Sequence, residues 1–339
     1  MRDATTTRPV KPNDIVPPRP YSLPPAIVLG DALLDHVYRI EAVPPVGGDA
    51  VIRSSEKHPG GAGLNTSIGL ALLGVPCYLP TTVGDDEEGR YLRRHLGSAG
   101  VDVSHVRFQG TTGHVLSFVD CGGERTMFSY RGAASIPLDM TPGLREALEC
   151  APLILVSGYC LQDARQAAPC LDAAERVGDA GGVVAFDPTP VVGQLARDVL
   201  DHMLTIADVV LANASELRTL SGCESVDSGI QSILELTPCL GLKLGRRGSI
   251  VALGPTARTS CLGAASGLRL AELSAPAIFE CPARQIKAVD TTGAGDAFNA
   301  GFLASLLYGL PPRAWGEWGN SMAAQVVVKK GAFLGTIDM

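Results

Sequence analysis

Two rhythms of apolar and polar positions alternate along this chain. Short runs that are almost wholly apolar read as buried strands: Ile27-Val28-Leu29-Gly30, Cys77 to Val83, Leu153 to Ser157, Val183 to Phe186, Asp208 to Ala212 and Ser249 to Leu253. Between them, apolar residues three and four apart predict helices from Asn65 to Leu73, where Gly74 stops it, and from Asp86 to Ala99, Asp163 to Val177 and Ser215 to about Leu220. From Asp296 onward, Phe298, Phe302, Leu303, Leu306 and Leu307 recur at helical spacing. Such alternation implies an α/β fold, with a mostly parallel sheet covered by helices on both faces. Val37 to Ile52 and His114 to Tyr130 instead alternate with period two, the second around a Cys121-Gly122-Gly123-Glu124 hairpin turn, and they predict a separate small β-sheet. Residues 254–277, rich in Gly, Ala and Ser, predict a long loop or insertion. Residues 1–25 hold seven prolines and little apolar periodicity, so an extended tail is expected before a domain spanning 26–339.

Composition narrows the class of protein. A chain of 339 residues that is 46% hydrophobic can bury a full core. Its formal charge of −7, without a lysine or arginine run, argues against a nucleic-acid partner, so any anion must be bound by local amides and single basic residues. No apolar run approaches the ~20 residues of a membrane span, and no membrane partner is expected. The nine cysteines are odd in number and include no CxxC pair, which reads as reduced thiols and a cytoplasmic location. The six histidines show no HExxH or clustered spacing that would suit zinc.

Candidate chemistry concentrates at glycine-rich turns. In Asp290-Thr291-Thr292-Gly293-Ala294-Gly295-Asp296, small residues leave backbone N–H groups unscreened at the positive end of a helix, where a phosphoryl group is stabilised. Asp296 sits among those amides and can accept a proton from an attacking hydroxyl; a capped glycine turn is the alternative. Gly60-Gly61-Ala62-Gly63-Leu64-Asn65 also lets a loop approach a ligand at a helix start, although a tight turn explains it equally, and it fits neither a P-loop nor GxGxxG. Asn213-Ala214-Ser215-Glu216 follows an apolar strand and is either a capping box or a pair that orients hydrated Mg²⁺. Lys243-Leu244-Gly245-Arg246-Arg247-Gly248 is an ordinary hairpin or a nucleotide contact. Asp31 and Asp35 follow the first strand, at an edge suited to hydroxyl-rich ligands.

In their order along the chain, from Gly30…Asp35 through Gly60…Asn65, Val83-Gly84-Asp85-Asp86, Thr112-Gly113, Asn213…Glu216 and Lys243-Leu244-Gly245 to Asp290…Asp296, these motifs resemble the ribokinase-like (PfkB) carbohydrate kinases over about residues 26–335. The resemblance implies a three-layer α/β fold with a β-sheet lid, built from about 37–57 and 106–131. It implies Asp296 as catalytic base, the amides of Ala294, Gly295 and Asp296 after Gly293 as an anion hole, and ATP with Mg²⁺ as cofactors. Asp35, Gly61 and Asn65 would contact the sugar. Lys243, Gly245, Gly248 and Asn320 would line the ATP site with Asn213, and Asn213 and Glu216 would hold Mg²⁺ through water. Asp290, Thr292, Val326, Lys329 and Gly331 resemble a monovalent-cation site, K⁺ in some members of the family. The lid edge would give a homodimer contact.

Departures from the pattern restrict the acceptor. Leu33 replaces an asparagine and Ala62 a lysine of ribokinases proper, so ribose is disfavoured. The stretch Glu124 to Ala133 resembles members acting on ketoses or 2-keto-3-deoxy sugar acids, in which an arginine at Arg131 can meet an acidic or phosphorylated sugar; a solvated strand end is the alternative. A nucleoside kinase of the same family, or a sensor that kept the fold without turnover, are the competing functions. The 5% aromatic content favours sugar over nucleoside.

Overall fold

The computed structural model of the chain describes residues 23–254 and 276–328. Most of the expected tail, most of the 254–277 segment, and Lys329 and Gly331 lie outside the described residues.

An eight-stranded sheet forms the middle layer. Its strands are β1 (Ala26–Leu29), β4 (Cys77–Tyr78), β9 (Leu153–Ser157), β10 (Val183–Asp187), β11 (Val209–Asn213), β12 (Cys239–Lys243), β13 (Ser249–Leu253) and β14 (Ala277–Cys281), in the order β14-β13-β12-β11-β10-β9-β1-β4. The six strands from β4 to β12 in that order are parallel, and β13 and β14 close one edge antiparallel. Every residue of β9 and β10 is buried, as a parallel sheet covered on both faces requires. Within β1, Ala26 and Val28 enter one core and Ile27 and Leu29 the other, the period-two division of a strand.

One face is covered by α1 (Ala62–Leu72), α2 (Glu87–Ser98), α8 (Ala294–Leu307) and α9 (Pro312–Val327); the other by α3 (Pro142–Cys150), α4 (Ala164–Asp179), α5 (Arg197–Ile206), α6 (Ala214–Ser221) and α7 (Val226–Leu234). Asp86, Thr141 and Asp163 cap α2, α3 and α4 by accepting from first-turn amides, which satisfies donors that a helix start leaves unpaired. Helix α8 is apolar on all sides because it is buried on all sides: Phe302 packs 5.6 Å from Trp315 of α9, and α1 lies against it.

A second sheet of four strands has the order β3-β2-β7-β8, from β2 (Leu33–Arg39), β3 (Ser54–Gly60), β7 (His114–Val119) and β8 (Arg125–Tyr130). The strand expected over 37–52 is displaced. Pro44, Pro45, Gly47 and Gly48 interrupt it, so the alternation after Arg39 continues through a loop and pairing resumes only at Ser54. The run 77–83 is likewise two strands: past Pro80 the chain leaves the main sheet, and β5 (Thr81–Val83) pairs with β6 (Val106–Phe108). No helix among the described residues is long and apolar enough to cross a membrane.

Candidate active site

Four of the parallel strands deliver polar residues to one edge, where open α/β sheets bind ligands. Asp31 follows β1, Asp187 ends β10, Asn213 ends β11 and Lys243 ends β12. The amino end of α8 faces them, and the four-stranded sheet stands over the other side. Between them lies a cavity of about 1050 Å³. It is lined by Asp35, Gly61, Asn65, Arg131, Asn213, Glu216, Lys243, Gly245, Gly248, Thr292, Asn320 and the whole Gly293–Asp296 turn. Asp290 and Val326, also singled out from sequence, are not in its wall.

The turn has the geometry of an anion site. Gly293 adopts φ 74°, a left-handed conformation that glycine takes without a Cβ penalty, and this swings the chain into α8. The Ala294 amide donates back to the Thr291 carbonyl at 3.2 Å, whereas the Gly295 and Asp296 amides have no protein acceptor among the described residues. These are the orphan donors of a helix start, carrying its positive end. The Asp296 carboxylate stands beside them, with Oδ2 accepting from Asn65 Nδ2 at 2.7 Å. Burial pushes its carboxyl up to about 7; Asn65 and Lys243 pull it down, while Asp187 and Asp35 push it further up. Asn65 is brought there by the Gly61 turn, whose φ of 100° and approach to the Asp31 carbonyl leave no room for a side chain.

A buried network lies at the donor end. Lys243 Nζ donates to Asn299 Oδ1 at 3.3 Å and stands 3.6 Å from Asp187 Oδ1, while Asn299 Nδ2 donates to Asp187 Oδ2 at 2.7 Å. Asn213 and Glu216 form a full capping box: Asn213 Oδ1 accepts from the Ser215 and Glu216 amides at 2.9 Å, and Glu216 Oε2 accepts from the Asn213 amide at 2.8 Å. The cap and a site are therefore compatible readings of the same residues. Burial and the nearby Asp187 raise the Glu216 carboxyl, with Lys243 opposing. Oxygen donors carrying excess negative charge suit a hydrated divalent cation held through water. Among the described residues, no group of three or more His, Cys, Asp or Glu is placed to chelate a metal directly.

The acceptor end is built differently. Asp35, on the cavity face of β2, has its carboxyl raised to about 6 by burial, with His58 and Arg125 opposing. Arg131 lines the cavity, but its N–H groups are taken by the floor beneath it. Nε and Nη2 grip both oxygens of Asp31 at 3.2 and 2.5 Å; Nη1 donates to the Tyr159 carbonyl at 2.6 Å and to Gln166 Oε1 at 3.1 Å; and Nη2 also meets the Ala134 carbonyl at 3.3 Å. Asp290 accepts from the Thr292 amide at 2.9 Å and pairs with Arg125 at 2.5 Å, and Arg125 also donates to the Thr292 hydroxyl. The cation beside Asp290 is thus a guanidinium from β8. Val326 is buried within α9, and the next carbonyl, Val327, accepts from the Val289 and Asp290 amides at 2.7 and 3.2 Å. Asn320 donates to the Cys281 carbonyl at 2.7 Å, so its carboxamide is half committed.

Four residues of the site escape a reading from sequence. Asp187 ends an apolar strand just as Asn213 does, and the strand-end rule applied evenly would have found it. Asn299, a lone amide inside an apolar helix, is the other detectable signal. Arg125 lies in the stretch Glu124 to Ala133 already singled out, but its partner Asp290 is too distant in sequence for the pairing to be read. Thr189 lines the cavity at φ 56°, with a buried hydroxyl lacking a partner, a strained position of the kind found at ligand sites.

Comparison with known proteins places this geometry. Residues 26–337 match the family described as pfkB family carbohydrate kinase. The fructokinase of Klebsiella pneumoniae is 33% identical over 292 residues, 84% of this chain and 85% of its own. The aminoimidazole riboside kinase of Salmonella typhimurium is 29% identical over 286 residues, 82% and 80% of the two chains. The structure of Arabidopsis thaliana ribokinase complexed with ribose and ATP superposes with a TM-score of 0.73 at 25% identity, covering 91% of this chain and 94% of that one.

Proposed function

The chain belongs to the pfkB family of carbohydrate kinases, and on that premise we propose that it moves the γ-phosphoryl of ATP to a hydroxymethyl group of a sugar, with Asp296 as general base. The observation that carries this reading is the 2.7 Å hydrogen bond from Asn65 to Asp296, which holds one carboxylate oxygen and leaves the other facing the cavity beside unpaired helix amides. A carboxyl raised to about 7 is matched to a base working near neutral pH.

An acceptor hydroxyl held between Asp35 and Asp296 gives its proton to Asp296 as its oxygen attacks the γ-phosphorus. The new P–O bond forms while the bond to the β-phosphate's bridging oxygen breaks, and ADP leaves with that electron pair. Charge on the transferred group meets the Gly295 and Asp296 amides and Lys243, an arrangement that acts by position and electrostatics. Asn213 and Glu216 would hold hydrated Mg²⁺, which screens the phosphates when bound. Gly245, Gly248 and Asn320 line the space left for the nucleotide. Gly61 and Asn65 lie where the sugar would sit, and a ketose is favoured over ribose by Leu33 and Ala62.

A nucleoside acceptor is the second reading, favoured by the volume of the cavity and the apolar Val115 and Met127 in its wall. The reading extends to a cytoplasmic homodimer through the four-stranded sheet, on which Phe128 and Tyr130 are exposed; a monomer by light scattering excludes the dimer. The test of function is ADP release with ATP and Mg²⁺ across ketoses, aldoses, sugar acids and nucleosides. Release that depends on one acceptor class is the expected result. Ligand binding without release for every acceptor would make the protein a sensor.

A further inference from the structure

The protein's own charges restrict what the acceptor end can receive. A guanidinium has five N–H groups, and all five of Arg131 already have protein acceptors: two on the Asp31 carboxylate, one on Gln166 and two on the carbonyls of Tyr159 and Ala134. The Arg131 and Asp31 side chains are 18% and 3% exposed, and although both line the cavity wall their pairing leaves Arg131 no N–H group for a ligand. Among the described residues, the other basic side chains near Asp35 are matched as well. Arg125 is paired with Asp290 at 2.5 Å, His58 with Glu56 at 3.2 Å, and Lys57 with Glu88 at 2.9 Å. Arg39 shares the cavity face of β2 but lies four residues, about 13 Å, beyond Asp35. Two carboxylates, Asp35 and Asp296, have no cationic partner within salt-bridge distance among the described residues. The acceptor end therefore offers hydrogen-bond acceptors in a negative field.

Building on the kinase reading, we propose that the acceptor is an uncharged polyol, a neutral ketose or related sugar that bears neither phosphate nor carboxylate. Hydroxyl groups donate to Asp35 and Asp296 without any charge to place. A phosphorylated or acidic sugar would bring a like charge against both carboxylates, and Arg131 could meet it only by abandoning Asp31 inside the protein. Breaking such a buried pair is costly, because it strands the partner. The Asp31–Arg131 pair then serves as a rigid floor that joins the end of β1 to the short 3₁₀ turn Gly132–Ser135 and to α4, and not as an anion receptor.

The full-length chain, with ATP and Mg²⁺, would be assayed for ADP release on matched acceptors: fructose, fructose 1-phosphate, fructose 6-phosphate, 2-keto-3-deoxygluconate and adenosine. Expected is a kcat/KM for the neutral sugar at least ~100-fold above those of its phosphates and of the sugar acid, the scale set by like-charge juxtaposition. Thermal shifts with the same compounds in the absence of ATP should rank them alike. A preference for a phosphate or the acid overturns the inference while leaving the kinase reading intact. Preference for adenosine overturns the sugar assignment. Failure of every acceptor in this panel and in a wider one to elicit ADP release overturns the kinase reading itself and the inference with it.

Discussion

At one end of the cavity the Gly295 and Asp296 amides have no protein acceptor and Lys243 is held by an asparagine and a carboxylate; at the other, all five N–H groups of Arg131 are occupied and Arg125 is bound to Asp290. Side-chain cations are paired at both ends, yet only the first adds helix amides that no protein group among the described residues satisfies. What differs is commitment. A group that must receive a transferring anion has to be fixed in place but not satisfied, because electrostatic stabilisation depends on donors that need no reorganisation when charge arrives. A group that shapes a pocket for neutral hydroxyls is better satisfied within the protein, where its pairing adds rigidity and excludes charged competitors.

Breaking the donor end should cost the most. Asp296→Asn keeps the shape and removes the base, and ADP release should fall at least ~10³-fold while MgATP binding by calorimetry is retained. Lys243→Met should lower kcat by roughly 10²-fold, as expected for the loss of one charge-stabilising donor, with the acceptor KM little changed. At the acceptor end the effect should move to the other parameter. Asp35→Asn should raise the sugar KM and lower kcat/KM by about tenfold, since it exchanges one hydrogen-bond acceptor for an amide, and the KM for ATP should hold. The smallest effect sharpens the contrast further: because Arg125 already supplies the positive charge at Asp290, replacing K⁺ in the assay with tetramethylammonium should leave kcat unchanged within experimental scatter. Strong activation by K⁺ would show that Asp290 exchanges its guanidinium partner for a metal ion.

How much of this was legible beforehand follows from what a sequence pattern reports. Periodicity tells which face of an element is buried, so six of the eight strands of the main sheet and five of the nine helices over it could be placed, as could Asn213 at a strand end. The Gly293-Ala294-Gly295-Asp296 turn was legible because its chemistry is local: four successive residues make the conformation, the amides and the carboxylate. The pairings were not legible. Arg131 meets Asp31 across 100 positions, Asn299 meets Asp187 across 112 and Arg125 meets Thr292 across 167. Topology alone brings these together, and without it Arg131 reads as a free cation for an acidic sugar. The strand expected over 37–52 holds only as far as Arg39 for a related reason, since alternation of side chains persists through a proline-broken loop that lies outside the paired ladder.

The claim on which the rest depends is that Asp296, buried beside Asn65 and the open amides of α8, must be ionised to act. Burial raises its carboxyl, and with Asn65 from α1 and Lys243 from β12 opposing and Asp187 from β10 and Asp35 from β2 adding to it, the carboxyl stands at about 7. Only the ionised form accepts a proton, so activity should be present above that value and lost below it. The pH dependence of kcat/KM for the full-length chain, with ATP and Mg²⁺ saturating and the preferred sugar varied, is the measurement. The account predicts an acid limb of unit slope centred near that pKa in the wild type, and no such limb in the residual activity of Asp296→Asn. A wild-type profile that stays flat from about pH 5 to 8 would contradict it.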